Sequence, residues 1–174
     1  MSIFFTSDTH FCHKNIIRYC NRPFENTNKM DKQLINLWNS VVKKDDIVYH
    51  LGDFSFHNAT TSKKILEQLN GHKFLIKGNH DCRITTAVNQ GFDAACELMT
   101  VKIGSLPVYL CHYPYKKQEI DDRNLAMLED QGNWLICGHV HNAWQQKRRT
   151  INVGVDVWAF TPVSETIIAK IMGE

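Results

Sequence analysis

The chain has 174 residues, 43% of them hydrophobic, enough for a substantial core in one domain over residues 1–174 with no separate cap domain. Lys and Arg number 20 against 18 Asp and Glu, a net charge of +2 that argues against a broadly basic nucleic-acid binder. No apolar run approaches a membrane span, which excludes a membrane-spanning helix.

The start, Met1-Ser2-Ile3-Phe4-Phe5, lacks the charged and long apolar regions of a secretion signal, so a cytoplasmic location is expected, with no membrane partner and no obligate protein partner. Ile3 to Thr6 reads as a first strand. A polar turn from Ser7 to Lys14 carries Asp8, His10 and His13, and a short helix follows over Asn15 to Tyr19. Pro23 biases its predecessor away from helix and makes Asn21 to Phe24 a loop. Met30, Leu34, Leu37, Trp38 and Val41 recur at helical spacing and predict a core-facing stripe, with Asn28 as the N-cap.

Ile47 to Leu51 is a second strand, closed by Gly52-Asp53 and a loop over Phe54 to Asn58. Thr60 to Leu69 is a helix ended by Asn70-Gly71, and Lys73 to Lys77 is a third strand running into Gly78-Asn79-His80-Asp81. That strand–helix–strand unit predicts parallel pairing. Ile84 to Gln90 is a short helix stopped by Gly91. Ala95 to Ile103 and Leu106 to His112 read as a hairpin turning at Gly104-Ser105. A helix over Asp122 to Asp130 precedes a strand over Trp134 to Cys137, which runs into Gly138-His139-Val140-His141. Arg148 to Val155 and Glu165 to Ile171 read as strands, with a break at Pro162. The layout predicts an α/β chain (α+β in some schemes) of two packed sheets with helices outside.

Five apolar runs thus end in metal-ligand residue types. Sites in open α/β sheets form beyond the carboxyl ends of the strands. Seven candidate ligands therefore converge: Asp8, His10, Asp53, Asn79, His112, His139 and His141. A single ion rarely needs so many, whereas two adjacent ions do. Any one of these motifs alone could be a polar turn; five in order, each behind a strand, point to a metal site. Six cysteines, Cys12, Cys20, Cys82, Cys96, Cys111 and Cys137, form no C-x-x-C pair and read as reduced thiols. Cys12, Cys82, Cys111 and Cys137 lie nearest the ligands in sequence and read as filler beside the site.

The series Asp8-x-His10, Gly52-Asp53, Gly78-Asn79-His80-Asp81, His112 and Gly138-His139-x-His141 resembles the motif series of the calcineurin-like metallophosphoesterases. The chain is similar to the small, single-domain members found in bacteria and phages. The resemblance implies a four-layer sandwich of two mixed β-sheets flanked by helices. It implies hydrolysis of phosphomonoesters or phosphodiesters, nucleotides or nucleic-acid ends among them, by attack of metal-bound hydroxide. Paired ions in such sites sit roughly 3.5–4 Å apart, so one carboxylate must bridge them. By the family pattern Asp53 is that bridge; Asp8, His10 and His141 complete one ion, and Asn79, His112 and His139 the other. His80 matches the family's catalytic histidine, which protonates the leaving oxygen or steadies developing charge. Asp81 either orients His80 or caps the next turn. Some relatives carry an aspartate three residues after the Gly-Asp aspartate to support that histidine; here the position is Phe56. Other relatives have lost catalytic residues and serve as protein-binding scaffolds. A catalytically silent interaction scaffold is thus the alternative, which His80 and the complete ligand set disfavour.

The ligand types carry chemical information. Two divalent ions bring about +4 of charge and two aspartates remove two, leaving a surplus that attracts a phosphate anion. Nitrogen and oxygen donors without cysteine suit manganese, iron, nickel, cobalt or zinc alike, with manganese the metal expected first. Arg22, which could clamp a phosphate in bidentate fashion, and His13 and His57 are substrate-binding candidates. Asn142 also flanks the motifs, His50 and His72 stand apart from them, and Lys147-Arg148-Arg149 is a short basic run that reads as a solvated strand end.

Overall fold

The structure, a computed structural model, describes residues 1–116 and 127–174. Strands β1 (Ile3–Thr6), β2 (Ile47–His50), β3 (His72–Ile76) and β4 (Ala94–Cys96) run parallel in one sheet, and β10 (Val163–Ser164) pairs antiparallel with β1 at its edge. A second sheet has the order β5 (Leu98–Ile103), β6 (Leu106–Cys111), β7 (Trp134–Cys137), β9 (Thr150–Asn152), β8 (Gln146–Lys147). Its centre, β6-β7-β9, is parallel and its two edges are antiparallel, so both sheets are mixed. The helices are α1 (Lys14–Tyr19), α2 (Thr27–Val41), α3 (Ala59–Leu66), α4 (Ile84–Gln90) and α5 (Glu165–Met172). Among the described residues no helix is long and apolar enough to cross a membrane.

Successive strand side chains point to opposite faces, and here each face has its own core. Phe4 and Leu75 join Met30, Leu34 and Trp38 of α2 and Ile65 of α3 on the helix-covered face. Their neighbours Phe5 and Ile76 pack between the sheets against Ile103, Val108, Leu110, Ile136 and Ile151. Leu135 and Cys137 turn to the far side of the second sheet, beside Tyr115 and Leu128. Strands buried on both faces read as the unbroken apolar runs seen in the sequence.

Strand register fixes where the connecting loops emerge. Thr6 lies opposite His50, and His50 opposite Leu75, so three parallel strands finish level. In the second sheet Leu110 lies opposite Ile136. The segments that continue from each strand therefore leave the sheets at one rim.

Several elements depart from the sequence expectations. The cap of α2 is Asn26, whose side chain accepts from Lys29 N–H at 3.0 Å, not Asn28. The helix buries Met30, Leu34 and Trp38, but Val41 is exposed and Val42 buried instead. Helix α3 starts at Ala59 behind an Asn58 cap and stops at Leu66, because tight turns from Gln68 to Ile65 and Leu69 to Leu66 replace the next helical turn. The hairpin is confined to β5 and β6; Ala94–Cys96 pairs with β3 in the other sheet, and Glu97 alone separates the two. Of the strand expected over Arg148 to Val155 only β9 forms; β8 precedes it across a turn at Arg148, and a 3-10 turn over Val155–Val157 follows. The strand expected over Glu165 to Ile171 is helix α5. Ser164 caps it by accepting from Ile167 N–H at 3.4 Å, Glu165 favours its first turn, and Gly173 ends it in the left-handed region. Residues 117–126 lie outside the description, and Met127–Asp130, the rest of the expected helix, is not helical.

Candidate metal centre

All seven ligand candidates lie at the shared rim, just beyond the carboxyl ends of β1, β2, β3, β6 and β7. Asp53 stands at the middle: its Oδ2 is 3.6 Å from His10 Nε2 and 3.6 Å from His112 Nε2. On one side His10 Nε2 is 3.9 Å from Asp8 Oδ1, and the His10 and His141 rings are 5.1 Å apart. On the other, His112 Nε2 is 3.2 Å from Asn79 Oδ1 and 3.2 Å from His139 Nδ1. Two clusters result, Asp8–His10–His141 and Asp53–His112–His139, with ligand atoms within 4.8 Å of one another in each.

Five of the seven, Asp8, His10, Asp53, His139 and His141, have positive φ, between 46° and 69°. The left-handed region costs a non-glycine residue of order 1–3 kcal/mol, though Asp and His tolerate it better than most. Cross-loop bonds hold the strained turns: Asp8 and His10 donate to Gly52 and Asp53 carbonyls at 3.0 Å, and His139 N–H donates to Asp8 Oδ2 at 3.0 Å. Three glycines at the site are sterically required, Gly78 among them, where a Cβ would overlap Asp53 Oδ1. A Cβ at Gly52, itself at φ +93°, would fall 2.6 Å from His112 Nδ1, and one at Gly138 would fall 2.6 Å from Asp8 Oδ2 and overlap Ser7 Oγ.

The electrostatics fit cations. Buried Asp8 Oδ1 and His10 Nε2 have no hydrogen-bond partner among the described residues, while His141 Nδ1 lies 3.5 Å from Asp156 Oδ2. Burial, with His141 and Arg22 nearby, holds His10 far below its ordinary range, and burial with His112 beside it lowers His139 to about 4. Both rings are therefore neutral, the protonation state a metal ligand requires. Burial pushes Asp53 up to about 6; the His112 ring opposes that rise and Asp8 and Asp81 add to it. A carboxylate without a counter-charge is raised in this way, and a cation would reverse the shift. His141 is the exception: burial disfavours its charge, but Asp8, Asp156 and Cys20 raise it to about 11.

The remaining candidates fall into place one by one. The exposed His80 ring is 5.7 Å from His10 and 5.0 Å from the Phe56 ring, and its backbone N–H donates to Asp53 Oδ1 at 2.9 Å. Among the described residues Asp81 makes no hydrogen bond to the His80 ring or to the turn that follows it. Its carboxylate accepts from the backbone N–H groups of Asp53, Phe54 and Gly78, tying the loops after β2 and β3 together. Arg22 is not open to substrate. Its guanidinium is buried, paired with Asp156 and bonded to the Asp8 and Thr9 carbonyls, because a charge withdrawn from water needs every donor met. His13 stacks on Phe56 at 3.9 Å, at the edge of the site. His57 Nε2 is 3.2 Å from Asp31 Oδ2. Asn142 bonds the Cys20 carbonyl, His50 meets Thr9 in the core, and His72 pairs with Asp93 at the surface.

Two residues at the site escaped the sequence reading. Asp156 lies 3.5 Å from His141 and beneath Arg22. Cys20, rather than the four cysteines nearer the motifs, clusters with His141 and Asp156. Neither sits in a motif. Asp156 comes after a strand, but only the fold brings Arg22 to it.

Rim, central carboxylate and flanking histidines together make a candidate metal site, and comparison with known proteins gives the class. The Calcineurin-like phosphoesterase superfamily domain matches residues 1–169, and the chain belongs to that superfamily. It is 37% identical to an uncharacterized protein of Methanocaldococcus jannaschii, over 98% of this chain and 90% of that one. It is 32% identical to the gene 66 protein of Mycobacterium phage L5, over 88% of this chain and 86% of the phage protein. A crystal structure of a protein of unknown function from Aquifex aeolicus superposes with a TM-score of 0.76 at 29% identity, covering 98% of each chain.

Proposed function

We propose that this protein is a two-metal phosphoesterase that hydrolyses phosphomonoesters or phosphodiesters. The observation that carries the reading is the position of Asp53 Oδ2, 3.6 Å from a histidine of each cluster. Asp8 and Asn79 would complete the ligation on either side together with His141 and His139. When bound, the ions supply Lewis acidity and a nucleophile at neutral pH. Manganese suits the nitrogen and oxygen donors, as iron, nickel, cobalt or zinc do.

The chain's own groups do the rest. Only two of the seven ligands are carboxylates, so the loaded site keeps positive charge for a phosphate anion. Asp81 fixes the backbone of Asp53, and with it the bridging oxygen. His80 is exposed beside the clusters, where its imidazole can give a proton to the leaving oxygen. The scaffold alternative predicts a dismantled ligand set, and no observation favours it.

Bis-p-nitrophenyl phosphate with added manganese tests the reading. His80→Ala should lower kcat by about 10²–10⁴-fold while still binding metal. Asp53→Asn should lose both metal and activity. Rates in both variants equal to the parent's would overturn the assignment.

A further inference from the structure

Beside His80, between the loop after β2 and helices α3 and α4, lies a cavity of about 310 Å³. His80 and Asp81 form the side nearest Asp53, the exposed Phe56 ring supplies an aromatic wall, and the buried Phe54 and Phe92 rings close the floor. The volume stands at the small end of ligand pockets, which run ~300–1,000 Å³, and suits one or two rings. Among the described residues no Lys or Arg lines it. Its one carboxylate, Asp81, already accepts from three backbone N–H groups. Ser55, His57 and Ser62 add polar groups to the lining, but without a Lys or Arg the cavity suits an uncharged group better than a second phosphate.

Its polar edge is equally informative. Gln90 Oε1 is 3.8 Å from Cys82 Sγ, and the Gln90 amide nitrogen has no partner among the described residues. A donor and an acceptor thus sit side by side over aromatic surface, the pairing that recognises a planar ring with polar edges. Phe56 is 44% exposed, and its ring lies 5.0 Å from that of His80.

We infer that this cavity is the leaving-group subsite and takes an uncharged, ring-bearing alcohol, with a nucleoside as the class that best matches its polar edge. The inference rests on the phosphoesterase reading for the role of His80. In the balanced step a water oxygen bonds to phosphorus and the P–O bond to the alcohol breaks. The alcohol oxygen takes the His80 proton, and the proton released by the water restores His80. The freed alcohol is left in the cavity.

The test needs neither metal nor turnover. Thymidine and benzyl alcohol are titrated separately into the EDTA-treated full chain and followed by amide NMR. Binding should shift the Ser55, Cys82, Gln90 and Phe92 amides. Gln90→Phe, which fills the cavity, should abolish those shifts. Gln90→Ala, a truncation at a half-buried helix end, should weaken thymidine by about three- to tenfold, the worth of one neutral hydrogen bond. Thymidine binding alone identifies a nucleoside, and benzyl alcohol binding alone a simple aryl alcohol; either supports the subsite. Undisturbed amides at saturation with both probes, or unchanged binding in both Gln90 variants, would overturn it. Hydrolysis of bis-p-nitrophenyl phosphate by the same preparation is scored separately and bears on the phosphoesterase reading alone.

Discussion

Arg22 and Asp156 lie 134 residues apart and meet in a buried fork, Nε to Oδ1 at 2.7 Å and Nη2 to Oδ2 at 2.8 Å. The same guanidinium bonds the carbonyls of Asp8 and Thr9, and the same carboxylate lies 3.5 Å from His141. One ion pair thus braces the ligand turn after β1 against the one after β7. Removing one partner leaves a buried charge unmatched, so Asp156→Asn should cost about 3–5 kcal/mol in urea unfolding. Arg22→Met paired with Asp156→Leu should cost less than the two single changes added together. Strict additivity in that cycle would show that the pair does not act as a unit.

The metal-free protein should be most stable near pH 6.5. Burial holds His139 and His50 at about 4 in the folded chain against 6.5 unfolded, so the unfolded chain binds more protons between those values and stability rises with pH there. Asp53, raised from 3.8 to about 6, works the other way over part of that window, against His139, His50 and the still lower His10. His141, raised from 6.5 to about 11, contributes stability that is fully present below 6.5 and is lost as pH climbs towards 11. Thermal melts in EDTA from pH 4.5 to 9 should show a maximum; a steady fall from the acid end would contradict these shifts.

Manganese at a hundred times its dissociation constant should add ~2.7 kcal/mol, roughly 5–10 °C in Tm for a chain of this size. Asp53→Asn should lose most of that rise, since its Oδ2 faces both clusters. Differential scanning fluorimetry with and without the metal reads this directly.

Gly138→Ala should cost about 1–3 kcal/mol and weaken metal binding by about tenfold or more, because the new methyl would fall on Ser7 Oγ and 2.6 Å from Asp8 Oδ2. Calorimetric titration with manganese checks it. Undiminished affinity would mean that the turn relaxes without moving Asp8.

What was legible in the sequence was what is local. A strand and the polar turn after it are neighbours in the chain, so Asp8, His10, Asn79, His80, His139 and His141 could be read as strand-end groups before any fold was known. Features set by distant partners were not legible. Arg22 looks like any loop arginine until Asp156 is placed beneath it. The role of Asp81 depends on the backbone of Asp53 and Phe54, brought to it only when β2 and β3 pair. The passage from β4 to β5 is invisible because a single residue, Glu97, changes sheets. In α5 the β-branched run Thr166-Ile167-Ile168 favours a strand, and Ser164 as the cap decides otherwise.

The left-handed turns at Asp8, His10, Asp53, His139 and His141 have an evolutionary corollary. Glycine at any one of them would relieve local strain, so a library screened for heat tolerance alone should drift toward losing the ligands. Whatever keeps those five side chains in place acts against the thermal preference of the backbone that bears them.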